Sequence, residues 1–210
     1  MAVDVKICGL STPETLDAAL GGGAAYVGLM FYPPSPRAVS FDVARVLAAR
    51  VPARVKTVGV FVEPCNALLD EAIDAGGLDV VQVHNTPANR AAAIAAHTGR
   101  EVWATVGVKT RADLVAAAAY NGAAARILYD ARTDAALPGG MGLRFDWKLL
   151  EGFDHPLPWA LAGGLDAGNL RDAVGITGAR TVDVSSGVES APGVKDVDKI
   201  AAFLQAAREL

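Results

Sequence analysis

The sequence predicts an α/β chain closed into a single-domain (β/α)8 (TIM) barrel over residues 1–210, on three observations. Short β-branched runs alternate with longer Ala- and Leu-rich segments, the pattern of a parallel sheet with crossover helices. Eight such runs span the chain with no linker between any of them. The polar residues suited to chemistry gather at the carboxyl ends of the runs, where the βα loops of a barrel build the active site. The chain is shorter than the roughly 250 residues typical of that fold. An open doubly wound sheet is the alternative.

In order, the strand runs are VDVKIC (3–8), AYVGLMF (25–31), VKTVGVFV (55–62), DVVQVH (79–84), EVWATVGV (101–108), ARILYD (125–130), PWALAGG (158–164) and RTVDVSS (180–186). Helical stretches fall between them at 13–20, 41–49, 66–75, 89–96, 111–120 and 169–174, with a last one at 197–208. The sixth helix, near Phe145 or Trp147, has the faintest signal. Cys8 closes the first strand, His84 the fourth, Asp130 the sixth, Gly163 and Gly164 the seventh, and Ser185 and Ser186 the eighth.

A net charge of -4 and a pI near 5.3 give no basic surplus for nucleic acid or an anionic membrane. Small solutes are the expected partners, with no obligate protein partner. Val3, Val5 and Ile7 follow Met1 at once, leaving no room for a charged and then apolar leader. The longest charge-free stretch, 18–36, is broken by Gly21, Gly22, Gly23, Pro33, Pro34 and Pro36. A cytoplasmic protein is expected, in which a reducing environment opposes a Cys8–Cys65 disulfide. Cys65, after Glu63-Pro64, is expected at a helix start or on the solvent side.

The segments KICG (6–9), FYPPSPR (31–37), VGVFV (58–62), VQVH (81–84), GGMGLRFDW (139–147), LAGGL (161–165) and VDVSSGVE (182–189) occur in one order over nearly the whole chain. In them the sequence resembles phosphoribosylanthranilate isomerase of tryptophan biosynthesis. The resemblance implies a (β/α)8 fold, no cofactor, no metal, and an Amadori rearrangement of N-(5'-phosphoribosyl)anthranilate to 1-(2-carboxyphenylamino)-1-deoxyribulose 5-phosphate. Two positions depart from the family: Gly140-Met141-Gly142, where Gly-Thr-Gly or Gly-Ser-Gly is usual, and Asn85, where a Gly usually follows the strand-four histidine. Neither touches the expected acid or base.

Such a rearrangement needs an acid to protonate the furanose oxygen and a base to remove the C2' proton. Cys8, at a strand mouth beside Gly9, is the expected base rather than a packing residue, and Asp130, after the apolar RILY, the expected acid rather than a turn cap. Strand alternation puts Lys6 on the inward face with Cys8, and Asp183 inward with Ser185. Since strands one and eight adjoin in a closed barrel, a Lys6–Asp183 ion pair is expected below Cys8, with Asp183 among the substrate-facing groups. Gly163, Gly164, Ser185, Ser186 and Gly187 form the expected phosphate site, because the loops after strands seven and eight commonly hold that anion. Arg37 is the expected partner of the anthranilate carboxylate. Gln82 and His84, both inward, are expected to orient the substrate, although a satisfied core histidine is nearly as good a reading.

Two other functions compete. A related sugar-phosphate isomerase or epimerase would use the same barrel, with an acidic residue in place of Cys8 or with metal ligands. An inactive phosphate-ligand binder would be expected to lose Cys8 or Asp130, and both are present.

Overall fold

The computed structural model describes residues 3–132 and 142–210, so Gly140 and Met141 lie outside the described residues. Eight parallel strands follow one another around a closed barrel: β1 (Asp4–Cys8), β2 (Tyr26–Met30), β3 (Lys56–Val62), β4 (Val80–His84), β5 (Glu101–Val108), β6 (Arg126–Ala131), β7 (Trp159–Leu161) and β8 (Thr181–Val184). Hydrogen bonding of β1 to β8 completes the circle and rules out the open sheet. Outside it pack α1 (Pro13–Gly21), α2 (Phe41–Ala48), α3 (Asn66–Gly76), α4 (Ala88–Thr98), α5 (Arg111–Ala116), α6 (Leu170–Thr177) and α7 (Val197–Arg208). Side chains at the starts of several helices satisfy the first free amides, with Thr12, Ser40 and Asp196 accepting from the N–H groups of Thr15, Val43 and Lys199. Among the described residues no helix is long and apolar enough to cross a membrane.

The period of two along each strand divides the core into two layers. Val5 and Ile7 of β1, Val27 and Leu29 of β2, and Val81 and Val83 of β4 join the layer between sheet and helices. Their neighbours turn inward, where Cys8, Met30, Val58, Val60, Val80 and Trp103 form a separate cluster. Near the amino ends of the strands, Tyr26 meets the Trp103 ring edge-on at 5.0 Å and the Arg126 guanidinium lies 4.8 Å from its centroid. These rings fill the barrel floor and leave the polar inward residues at the opposite mouth.

One charged pair sits inside this interior. Lys6, fully buried, donates to Asp183 Oδ1 at 2.8 Å across the β1–β8 seam, where the two residues are in register. This is the pair that alternation and closure together require.

The structure departs from the sequence expectations in four places. Residues 111–120 are not one helix: α5 stops at Ala116 and a tight 3-10 turn covers Ala117–Tyr120. The sixth helix is a single 3-10 turn, Trp147–Leu150, opened by Asp146 accepting from the Lys148 N–H at 3.0 Å. β6 runs one residue past Asp130, while β7 stops at Leu161, leaving Gly163 and Gly164 in the following loop. After β8 comes an unexpected antiparallel hairpin of β9 (Glu189–Ala191) and β10 (Val194–Lys195). Gly193 in its turn has φ +81, and a Cβ there would collide with the Pro36 carbonyl, so the hairpin packs directly on the loop that carries Arg37.

Removing one member of a buried ion pair strands the other, at a cost of about 3–5 kcal/mol. Lys6→Met should therefore lower the urea midpoint by that equivalent, and adding Asp183→Asn to it should recover most of the loss.

Candidate active site

A cleft of about 450 Å³ opens at the carboxyl ends of the strands. Cys8, Arg37, Gln82, His84, Asp130, Gly163, Gly164, Asp183, Ser185 and Ser186 all line it. Gly187, expected at the phosphate site, does not. It instead packs against the loop after β7, where a Cβ would overlap the Leu165 carbonyl. His97 and His155 lie elsewhere, the first beside Asp70 at 2.8 Å and the second stacked on Trp159. Among the described residues no three His, Cys, Asp or Glu side chains are grouped to hold a metal ion. Both cysteines are free, with Cys8 buried and Cys65 exposed as the residue preceding α3.

The last residue of β1, Cys8, is in register with Gly28 of β2. A Cβ on Gly28 would lie 3.1 Å from both Cys8 Cα and Sγ and 3.3 Å from Lys6 Cε. That glycine, unnoticed in the sequence, therefore leaves the thiol and the lysine their space. Burial pushes the Cys8 thiol above its ordinary value, Lys6 pulls it partly back, and Asp183 opposes that pull. Burial would lower Lys6, but Asp183 and Cys8 outweigh it and hold the ammonium charged. The Ser185 hydroxyl donates to the Cys8 carbonyl at 3.2 Å, tying the mouth of β1 to that of β8.

Asp130 enters the same cleft from β6, partly buried, with Oδ1 accepting from the Ala131 N–H at 2.8 Å. Burial raises its carboxyl from 3.8 to about 7, helped by the negative charge of Asp183 and opposed by the Ala131 amide and Lys6. Gly163 makes the close approach possible, since at φ +88 a Cβ would stand 2.9 Å from Asp130 Oδ1.

From β4, Gln82 and His84 face inward with Gln82 Nε2 3.3 Å from His84 Nε2. Burial, reinforced by Lys6, draws His84 down to about 4, so the ring is neutral at physiological pH. A neutral ring that accepts at Nε2 carries its proton on Nδ1. Gln82 Oε1 is buried with no hydrogen-bond partner among the described residues. The next residue, Asn85, takes φ +52, a left-handed conformation that asparagine tolerates and glycine adopts freely.

Arg37 reaches the cleft, but not as an unengaged fork. Its Nε and Nη2 donate to Glu189 Oε1 and Oε2, each at 2.7 Å, and its stem crosses Gly9, where a Cβ would lie 2.7 Å from Arg37 Cδ. Glu189 Oε1 also accepts from Lys195 Nζ at 2.5 Å, and that ammonium donates to the Ser185 carbonyl and hydroxyl at 3.0 and 3.1 Å. Burial would raise Glu189, but the bonds from Arg37 and Lys195 prevail and keep its carboxyl below the usual range. Neither Glu189, the last residue of VDVSSGVE, nor Lys195 was singled out as a site residue in the sequence, although the Pro192-Gly193 pair between them marks a turn.

The loops after β7 and β8 form the rest of the wall. Gly163 and Gly164 both have positive φ, and a Cβ on Gly164 would lie 2.9 Å from the carbonyls of Gly142 and Leu143. Ser185 and Ser186 lead into a 3-10 turn, Ser186–Val188. Three loops thus meet around two glycines and two serines at the cleft wall.

The family model for N-(5'-phosphoribosyl)anthranilate (PRA) isomerase matches residues 5–206 of the chain. An N-(5'-phosphoribosyl)anthranilate isomerase of Zymomonas mobilis subsp. mobilis is 52% identical over 212 residues, covering 100% of both chains. Among solved structures, phosphoribosyl anthranilate isomerase from Thermotoga maritima superposes with a TM-score of 0.89 at 35% identity, covering 99% of this chain and 100% of that one. A phosphoribosyl anthranilate isomerase in complex with reduced 1-(o-carboxyphenylamino)-1-deoxyribulose 5-phosphate gives a TM-score of 0.86 at 34% identity, with coverage of 99% and 100%.

Asp130 carries a stability signature. An acid raised from 3.8 to about 7 on folding costs nothing below its unfolded value, progressively more between the two values, and most above pH 7. The full cost is about 2–4 kcal/mol, towards the lower end because the carboxylate is partly exposed. Asp130→Asn keeps the acceptor for the Ala131 amide, so it should raise Tm at pH 8 and do so less at pH 5.

Proposed function

The chain belongs to the N-(5'-phosphoribosyl)anthranilate isomerase family, and on that premise we propose that Cys8 is the general base and Asp130 the general acid of its reaction. The enzyme catalyses the Amadori rearrangement of N-(5'-phosphoribosyl)anthranilate to 1-(2-carboxyphenylamino)-1-deoxyribulose 5-phosphate in tryptophan biosynthesis. The observation that carries the assignment is that a thiol and a carboxyl, on strands one and six, line one cleft and both feel the Lys6–Asp183 pair. Asp130, protonated, gives its proton to the furanose oxygen as the C1'–O bond breaks and the anilino nitrogen forms a Schiff base. The Cys8 thiolate then takes the C2' proton, leaving an enolamine that tautomerises to the ketose. Lys6, beneath the thiol, offsets the negative charge that Cys8 carries while it waits.

Ligand placement follows the same logic. The phosphate is assigned to the loops of Gly163, Gly164, Ser185 and Ser186, supported by their convergence and by the usual anion site of barrels. The anthranilate carboxylate is assigned to Arg37, which Glu189 holds at the cleft wall. Gln82, His84 and Asp183 are assigned to the sugar hydroxyls, supported by their shared place on the cleft wall. Residues 1–210 act in this reading as one cytoplasmic domain on a free small molecule, without nucleic acid, membrane or obligate protein partner.

Offered freshly prepared substrate, the purified protein should consume it, read as loss of substrate fluorescence, and should do so equally with chelator present. Cys8→Ser and Asp130→Asn should each lower kcat by about 10²-fold or more, the range of a general acid or base. Arg37→Ala should raise KM by tenfold or more, with a smaller change in kcat, as lost ground-state binding does.

The pH profile follows from the two shifts. Below pH 7 Asp130 is protonated and thiolate falls tenfold per unit, so the rate falls with it. From pH 7 up to the raised value of the thiol, thiolate gains what protonated Asp130 loses and the rate is flat. Above that only the loss remains. kcat/KM should therefore form a broad plateau in which a small minority of the enzyme holds both required protonation states.

A further inference from the structure

A buried carboxylate at the mouth of a cleft that receives two anionic groups opposes binding by its charge, and Glu189 is such a carboxylate, 8% exposed. It is neither solvated nor left alone. Both oxygens are taken by Arg37 in a bidentate fork, Lys195 adds a third bond at 2.5 Å, and the Gly193 N–H a fourth at 3.3 Å. Lys195 in turn donates to the Ser185 hydroxyl, which donates to the Cys8 carbonyl. Each hydrogen in this chain has one direction, so a single orientation of Arg37 is linked to the backbone of the catalytic strand. The hairpin that supplies Glu189 and Lys195 rests on Pro36, next to Arg37 in sequence.

We propose that Glu189, backed by Lys195, is a positioning residue that aims Arg37 at the substrate's carboxylate and so sets the enzyme's preference for an ortho-carboxylated arylamine over the bare arylamine. This rests on the assignment of Arg37 to that carboxylate. Without that carboxylate the guanidinium loses the fork that fixes its plane, and the repulsion between Arg37 and Lys195 is no longer screened. The carboxylated ligand then loses an aligned contact that the bare analogue never had.

Charge and position predict opposite signs, which makes the idea testable. Glu189→Gln makes the cleft more positive by one unit and, if charge alone mattered, would tighten every anionic ligand. Under the proposal it weakens the carboxylated one. The measurement is calorimetric titration of wild type, Glu189→Gln, Glu189→Asp and Arg37→Ala with reduced 1-(o-carboxyphenylamino)-1-deoxyribulose 5-phosphate and with its phenylamino counterpart lacking the carboxylate, alongside KM and kcat for substrate. Expected for Glu189→Gln is a tenfold or greater loss for the carboxylated ligand, less than threefold change for the bare one, a matching rise in KM and a kcat within about threefold. Glu189→Asp, which restores a carboxylate on a shorter stem, should recover part of that preference and serves where the amide variant does not fold.

Tighter binding of both ligands to Glu189→Gln, or an equal loss of both, overturns the proposal. If Arg37→Ala abolishes the preference while Glu189→Gln and Glu189→Asp retain it in full, the positioning role fails and the Arg37 assignment stands. If Arg37→Ala itself leaves the preference intact, the assignment beneath the proposal fails.

Discussion

The Lys6–Asp183 ion pair is the interaction on which the rest of the site depends. It lies where the last strand returns to the first, so the barrel's closure and the environment of its catalytic groups have one point in common. Two charges in a low-dielectric interior are costly unless well paired, and a 2.8 Å contact between residues in register is such a pairing. Its field then reaches Cys8, His84 and Asp130. Lys6 restrains the upward push on Cys8 and deepens the fall of His84, while Asp183 adds to the rise of Asp130. Burial drives the acid and the imidazole towards their neutral forms, and the pair adjusts each of them and sets a cation beneath the thiol.

The division of labour between the two layers of core explains how a chain with so many small apolar residues supports this. The outer layer, Ile7, Val27, Leu29, Phe61, Leu78 and their neighbours, is continuous and dry, and it holds the strands in place. The inner cluster is smaller and closed at the floor by Trp103, Tyr26 and Arg126. Polar residues at the mouth can then be buried on a rigid frame without weakening the packing that makes the frame rigid.

Much of this was legible in the sequence because strand alternation has an invariant period. Cys8 follows Lys6 by two residues and Ser185 follows Asp183 by two, so one inward assignment on each strand places the pair, the thiol and a serine together. What escaped detection depends on contacts between loops, which carry no period. Glu189 and Lys195 became visible only when a two-residue turn folded them back on Arg37, and no local pattern announces a bond across 152 positions of chain. Gly28 was passed over for the opposite reason: inside a strand it reads as a weak strand residue, and its use is the space it leaves for Cys8 and Lys6. Gly187 was singled out with its neighbours Ser185 and Ser186, but the close packing of its Cα on the Leu165 carbonyl is a use that no sequence pattern announces.

That last contact bears on how the enzyme can change over evolutionary time. The loops after β7 and β8 touch with no room for a single methyl group between Gly187 and Leu165, so neither can be lengthened or re-sequenced there without moving the other. At that point they are mechanically one unit. The wall made by Arg37 and the hairpin is joined by side chains instead, which can be exchanged in pairs. On the proposed ligand placement, the aryl end meets a wall that paired side-chain changes can reshape, and the phosphorylated end meets one that backbone contact holds.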